Sequence, residues 1–219
     1  MKLRSILFFL FFVAYACFGQ EAENKRFNLN LIAGLQGAQI DGDYYGGYNK
    51  AGVYVGLAVS RQLNDKMDFS LGMAFSQKGA RENPDPENGY YDFYLAKMNY
   101  LEIPIQITHK FKKFDFFWGA YYGRLISSKE ENQNGMINTG LQFKSNDVGY
   151  GLGLEYKIFD GVLLGVRHAY SILPVRDYFF NGKVGYTFFM QRLFNRGLYN
   201  NTLMFYMRYQ FNLPEKSKN

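Results

Sequence analysis

Val148-Gly149-Tyr150-Gly151-Leu152-Gly153-Leu154-Glu155-Tyr156 alternates without a break. One set of positions carries Val148, Tyr150, Leu152, Leu154 and Tyr156. The other carries Gly149, Gly151, Gly153 and Glu155. Successive side chains of an extended chain point to opposite faces, so a period of two over about ten residues is a strand signature and a poor helix. The glycines decide which face is wet. A soluble, lipocalin-like barrel would turn the large apolar set inward and leave a glycine surface to water. The reverse arrangement puts glycine where a narrow barrel is crowded and gives the apolar set to lipid. Lipid tolerates only backbones that pair all their own polar groups, and a closed sheet does so. The stretch therefore reads as one strand of a transmembrane barrel.

The same period recurs in Val53–Ser60, Phe69–Ser76, Leu101–Thr108, Val162–Arg167 and Leu203–Phe211, with Gly72 and Gly165 on the glycine-bearing parity. Adding Phe27–Gly37 and Phe114–Leu125, the latter with Gly119, gives eight strands, the smallest usual membrane barrel. Tight turns at Asn64-Asp65-Lys66, Lys112-Lys113 and Asp160-Gly161 alternate with long segments near 38–51, 80–97, 127–146 and 174–201. Short turns on one side and long loops on the other are the two ends of such a barrel, and the parity puts both termini on the short-turn side. The expected fold is all-β, an eight-stranded antiparallel up-and-down transmembrane β-barrel. Two further strands within 174–201 would make ten. Composition agrees: 22 Phe and 19 Tyr stand against one Trp and five Pro, an aromatic, strand-favouring balance.

The N-terminus reads as an export leader over 1–19. Lys2 and Arg4 precede the 11-residue apolar run Ile6–Ala16, too short for the roughly 20 residues a spanning helix needs. Cleavage after Gly19 would leave Gln20 first, with Ala14-Tyr15-Ala16 as an earlier site. Acylation of Cys17 would make a lipoprotein, but the bulky Tyr15 argues against it. Cys17 is the only cysteine, so the mature chain has no disulfide and takes its stability from packing or lipid. Losing Lys2 and Arg4 lowers the formal charge from +6 to +4. No basic cluster of the kind nucleic acid requires accompanies it. The barrel is expected over 20–213, ending on the assembly-type pattern Phe205-x-Met207-x-Tyr209-x-Phe211, and a polar tail over 214–219.

Phe75-Ser76-Gln77-Lys78-Gly79, Asn99-Tyr100-Leu101-Glu102-Ile103-Pro104-Ile105, Gly119-Ala120-Tyr121 and Asp147–Glu155, in that order, resemble the PorT-like family of Bacteroidetes outer-membrane barrels. The likeness spans about residues 27–212, and the Tyr-Leu-Glu-Ile-Pro segment is its more specific part. It implies an eight-stranded outer-membrane barrel, and its namesake is tied to protein secretion through the type IX system. The family is broad, so the likeness carries fold and location further than function.

Glu102, Glu155, Lys78, Arg167 and Arg208, with Lys157, share the inward parity. They are expected to form a barrel-interior ion-pair network, because buried charges need partners. The structural role is a plug; the functional alternative is a polar path, that is, a narrow channel or a small-ligand-binding barrel. Pro104 falls inside a strand and removes a ladder donor, which calls for a bulge or a weakened pairing. His109 and His168 fall on the lipid-facing parity of different strands with no nucleophile evidently paired, so no catalytic residue is assigned. His109 suits an interface, and His168 has no role unless the register slips. Asp41-x-Asp43 and Asp85-x-Glu87 lack the spacing of a calcium loop and read as solvated turns, so neither metal nor cofactor is assigned. The segment 174–201 is rich in the residue types of interface hot spots: Tyr178, Phe179, Phe180, Tyr186, Phe194, Arg192 and Arg196. It is the candidate partner-binding loop, or else a strand extension turning at Asn181-Gly182. The expected partners are outer-membrane lipid and secretion-machinery or periplasmic proteins, with the barrel as a non-enzymatic platform.

Overall fold

The computed structural model describes residues 27–43, 45–89, 91–137, 142–177 and 196–212. The leader, the tail, the Asn181-Gly182 turn and the loop residues Tyr178, Phe179, Phe180, Tyr186, Arg192 and Phe194 lie outside the described residues. Eight long strands follow one another: β1 Phe27–Asp41, β2 Lys50–Asn64, β3 Met67–Glu82, β4 Tyr94–Phe111, β5 Phe114–Asn132, β6 Asn146–Phe159, β7 Val162–Ser171 and β8 Gly197–Asn212. Each pairs antiparallel with its sequence neighbour, and β8 returns to β1 from Asn28↔Asn212 to Asp41↔Tyr199, so the sheet closes. Strands β1 and β8 begin and end level with the three tight turns. Two-residue ladders, Gly135–Met136 on β5 and Arg176–Asp177 on β8, carry the wall a little further at the loop end.

The strands run well past the alternating segments, so the ends of 38–51, 80–97 and 127–146 are wall rather than loop. β5 alone is 19 residues long. Above the lipid both faces can be polar, so the ladder continues where the apolar period that marks it has stopped.

Odd positions of β1 to β4 and of β8 point outward, as do even positions of β5 (up to its bulge), β6 and β7. They carry the apolar set: Leu35 is 70% exposed, Phe205 62%, Met73 55% and Trp118 50%. These are lipid-facing side chains, since no soluble barrel leaves such a belt bare. At the short-turn end Phe27, Phe111, Phe114, Phe159, Tyr209 and Phe211 are exposed, with Phe114 on Tyr156 at 5.0 Å and Tyr209 on Phe211 at 4.6 Å, an aromatic girdle.

Inside, aromatic rings lie over glycines of the next strand. A Cβ on Gly149 would sit 2.4 Å from Tyr121 Oη, one on Gly153 2.5 Å from Phe117 Cζ, and one on Gly165 2.4 Å from Tyr206 Cζ. These three inward glycines are thus seats for rings that fill the barrel. Pro104 is accommodated without a bulge. The β3–β4 register is the same at Leu71↔Ile105 and Ala74↔Glu102, while the pairs between them are missing. The ring lies near Gly72, whose missing side chain leaves it room. Bulges occur instead opposite Asn99/Tyr100 and at Gln62/Asn64 and Lys157/Phe159.

His168 needs no register slip. It points outward near the loop end of β7, its Nε2 3.0 Å from Asn201 Oδ1, and its ring makes a triangle with those of Tyr150 and Tyr170. His109 is exposed at the short-turn edge, opposite Met67 and Phe116.

Candidate functional site

Four charged side chains from four strands meet in the middle of the barrel: Lys78 on β3, Glu102 on β4, Asp147 on β6 and Arg167 on β7. Lys78 Nζ lies 2.7 Å from Glu102 Oε1 and 2.9 Å from Asp147 Oδ2, and Arg167 Nη2 lies 3.6 Å from Glu102 Oε2. All four are buried. Asp147 also accepts from Ser171 Oγ at 2.7 Å and Asn200 Nδ2 at 2.9 Å. Neither Glu102 oxygen nor Arg167 Nε has a well-aligned hydrogen bond, so Glu102 is held by charge contact. The cations also rest on ring faces, Lys78 Nζ 4.0 Å from the Tyr121 centroid and Arg167 Cζ 5.1 Å from that of Tyr54. Two cations face two carboxylates, which is how a buried set avoids the large cost of an unpaired charge.

Nearer the short turns, Glu155 accepts from Tyr206 Oη at 2.6 Å and from Arg208 Nε at 3.0 Å, with Arg208 Nη2 closing the bidentate pair. Arg208 Nη1 donates to Asn30 Oδ1 at 3.0 Å, and Nη2 is 3.5 Å from Asp115 Oδ2. A cavity of about 30 Å³ lies among Asn30, Tyr54, Ser60, Gln106, Glu155 and Arg208. That is room for about two waters.

Toward the loops the interior turns apolar. Ile40, Tyr94, Ala96, Met98, Val175 and Leu198 form a buried cluster across the lumen. Beside it Glu130 accepts from Tyr94 Oη at 2.6 Å and from Arg176 Nη1 at 2.9 Å, and Arg176 Cζ lies 3.7 Å over the Phe143 ring.

The five interior residues chosen from parity all point inward, but they divide into two groups: Lys78, Glu102 and Arg167 in the middle, Glu155 and Arg208 below. Lys157 does not join them. It follows Glu155 into the bulge at the strand end and pairs with Asp160 at 2.9 Å, half exposed. Of the candidate loop residues only Arg196 is described, exposed at the start of β8. Parity missed Asp147, Ser171 and Asn200, which sit at strand ends where the alternation starts or stops. It missed Glu130 because the bulge at Ile126 flips the inward parity of β5. Among the described residues no group of three His, Cys, Asp or Glu could hold a metal ion.

Asp85 and Glu87 lie at an exposed single 3-10 turn, Pro86–Asn88. Asp43 is not a solvated turn residue. It is half-buried, its Oδ1 accepts from the Tyr45 amide at 3.0 Å, and Oδ2 has no partner. Burial, helped by the nearby charges of Asp41 and Glu82, pushes its carboxyl from the ordinary 3.8 up to about 7. The packed loop therefore holds a proton that the released loop would lose, so packing weakens as pH rises from about 4 to about 7 and stays weaker above. Hydrogen exchange at the Tyr45 amide, corrected for intrinsic rate, should show more protection at pH 5 than at pH 8. Asp43→Asn should equalise the two; a wild type already equal would contradict this placement of Asp43.

A family model described as the outer membrane protein beta-barrel domain matches residues 18–177. The chain belongs to that family. This outer-membrane barrel accordingly has its tight turns in the periplasm and its long loops outside. No curated protein matches the sequence. Among solved structures, the attachment invasion locus protein Ail of Yersinia pestis is similar at 13% identity, covering 85% of this chain and 99% of its own, with a TM-score of 0.48. Neisserial surface protein A is similar at 12%, with 86% and 100% covered and a TM-score of 0.47. OprG of Pseudomonas aeruginosa follows at 10%, with 86% and 96% covered and a TM-score of 0.40. Identities this low say nothing about what the barrel does.

Proposed function

We propose that the protein is a non-enzymatic platform, a closed barrel that holds its outer loops and periplasmic rim against partners and passes no solute. The observation that carries this is the filled interior. An apolar cluster, a charge-balanced quartet and a bidentate Arg–Glu pair succeed one another along the lumen. The cavity between the two charged groups is far below the roughly 300 Å³ at which organic ligands begin to be enclosed, which disfavours the ligand-binding barrel. Both histidines lie on the outer wall, away from one another and from any interior carboxylate, which favours no acid–base site. Crosslinking in membranes followed by pull-down tests the platform. Deleting 178–196 should abolish recovery of partners held by that loop; unchanged recovery would take the loop out of the account.

The PorT-like resemblance adds a narrower reading, in which the platform serves type IX secretion. Its support is the sequence likeness around Tyr100–Ile105 and Asp147–Glu155. A deletion strain should then lose surface-protein export, and normal export would remove the link.

A further inference from the structure

We propose that the outer wall of β3–β5, just above the lipid-facing belt, binds the phosphate groups of an outer-leaflet lipid headgroup. This goes beyond the platform reading and does not depend on it. On β3 and β4 the belt ends at Phe75 and Leu101, while on β5 Arg124 stands opposite Leu101 and exposed Ile126 lies above it at the bulge. One step up the wall is polar, Asn99 Nδ2 donating to Ser127 Oγ at 2.9 Å. The next register row is Gly79–Lys97–Lys129, and above it stand Arg81 on β3 and Glu131 on β5. Lys97 and Lys129 are directly opposite and both exposed. Like charges in that position repel, and an anion between them removes the penalty.

Glu131 pairs with Lys129, and its charge also acts on Lys97. Lys97 has no ion pair among the described residues. Arg81 Nε donates to Asn83 Oδ1 at 2.7 Å, which leaves its charge unneutralised. Lys50, at the top of β2, is buried and on the inward parity of its strand, so it does not add to the outer face. Its Nζ donates to the carbonyls of Ala51 at 3.1 Å and Gln77 at 3.5 Å, and no carboxylate pairs with it among the described residues. The ladder between β2 and β3 stops at Tyr54↔Ser76, and the Lys50 stem crosses the seam above it, its Cδ 3.3 Å from where a Gly79 Cβ would stand. Gly79, at φ +138°, cannot carry that Cβ, which would meet the Ala96 carbonyl at 1.9 Å. Three exposed cations, Lys97, Lys129 and Arg81, with the Glu131 carboxylate among them, thus face outward at the level where the belt gives way to headgroups. Its place on the wall, next to the belt rather than at a loop tip, selects a membrane lipid over a free anion.

The full mature chain in maltoside micelles, offered bisphosphorylated lipid A or its dephosphorylated form, tests this by native mass spectrometry. The wild type should prefer the phosphorylated lipid. Lys97→Gln with Lys129→Gln should lose that preference by about 25-fold, at roughly a factor of five per surface cation. Lys112→Gln at the short-turn end should leave it unchanged. Equal binding of both lipids by the wild type, or a preference surviving in the double variant, would overturn the proposal. Complete competition by millimolar inorganic phosphate would overturn it too, by making this a free-anion site. Lys97→Gln alone, expected to lose about fivefold, serves if the double variant does not fold.

Discussion

Asp147→Ala should cost the barrel on the order of 3–5 kcal/mol, read as a fall in the temperature at which the folded form gives way on heat-shift electrophoresis. Asp147 accepts hydrogen bonds from Lys78, Ser171 and Asn200. Without it the mid-barrel quartet is left with two cations against Glu102 alone, a buried charge with no partner. The size of the effect comes from that imbalance rather than from the hydrogen bonds themselves. Removing Lys78 as well restores the balance, because Glu102 and Arg167 then pair one to one. Lys78→Met combined with Asp147→Ala should therefore cost less than the two single changes added together. Strict additivity would mean that the quartet is not one electrostatic unit.

Gly165→Val should damage the barrel by a comparable amount through a different cause. The new Cβ would lie 2.4 Å from Tyr206 Cζ and 2.6 Å from its hydroxyl. The ring must shift to admit it, and moving it breaks the 2.6 Å hydrogen bond from Tyr206 to Glu155. Overpacking costs about 1–3 kcal/mol and losing a hydrogen bond to a charged group about 1.5–3. The sum predicts a lowered folding yield in detergent as well as a lowered unfolding temperature. Gly46→Ala, where nothing stands within 4 Å, is the matched control and should leave both unchanged. If Gly165→Val folds as well as that control, the glycines are not ring seats.

The sequence made the strands legible because lipid imposes a strict period on the wall that touches it. Leu57, Met73, Leu154 and Phe205 each sit in a run spaced by two for that reason, and the opposite parity delivered Lys78, Glu102, Arg167, Glu155 and Arg208. The period ends where the lipid does. Asp147 follows Asn146 at the very start of β6 and looks like the last residue of a loop; Asn200 and Ser171 likewise sit where no apolar partner marks the face. Glu130 was hidden by the bulge at Ile126, a one-residue insertion that leaves no trace in composition. How the inward charges divide between two groups was not legible either, since parity gives the face of a residue and not its height. Lys157 shows the limit from the other side: the correct parity, but one step too low to be enclosed.

The filled interior is the centre of the account, and ion conductance reads it most directly. The full chain, with insertion verified by flotation of proteoliposomes, should give no conductance steps in a planar bilayer. Reproducible ohmic steps would contradict the account, because they require an open path through the Lys78–Glu102–Asp147–Arg167 quartet and the apolar cluster above it.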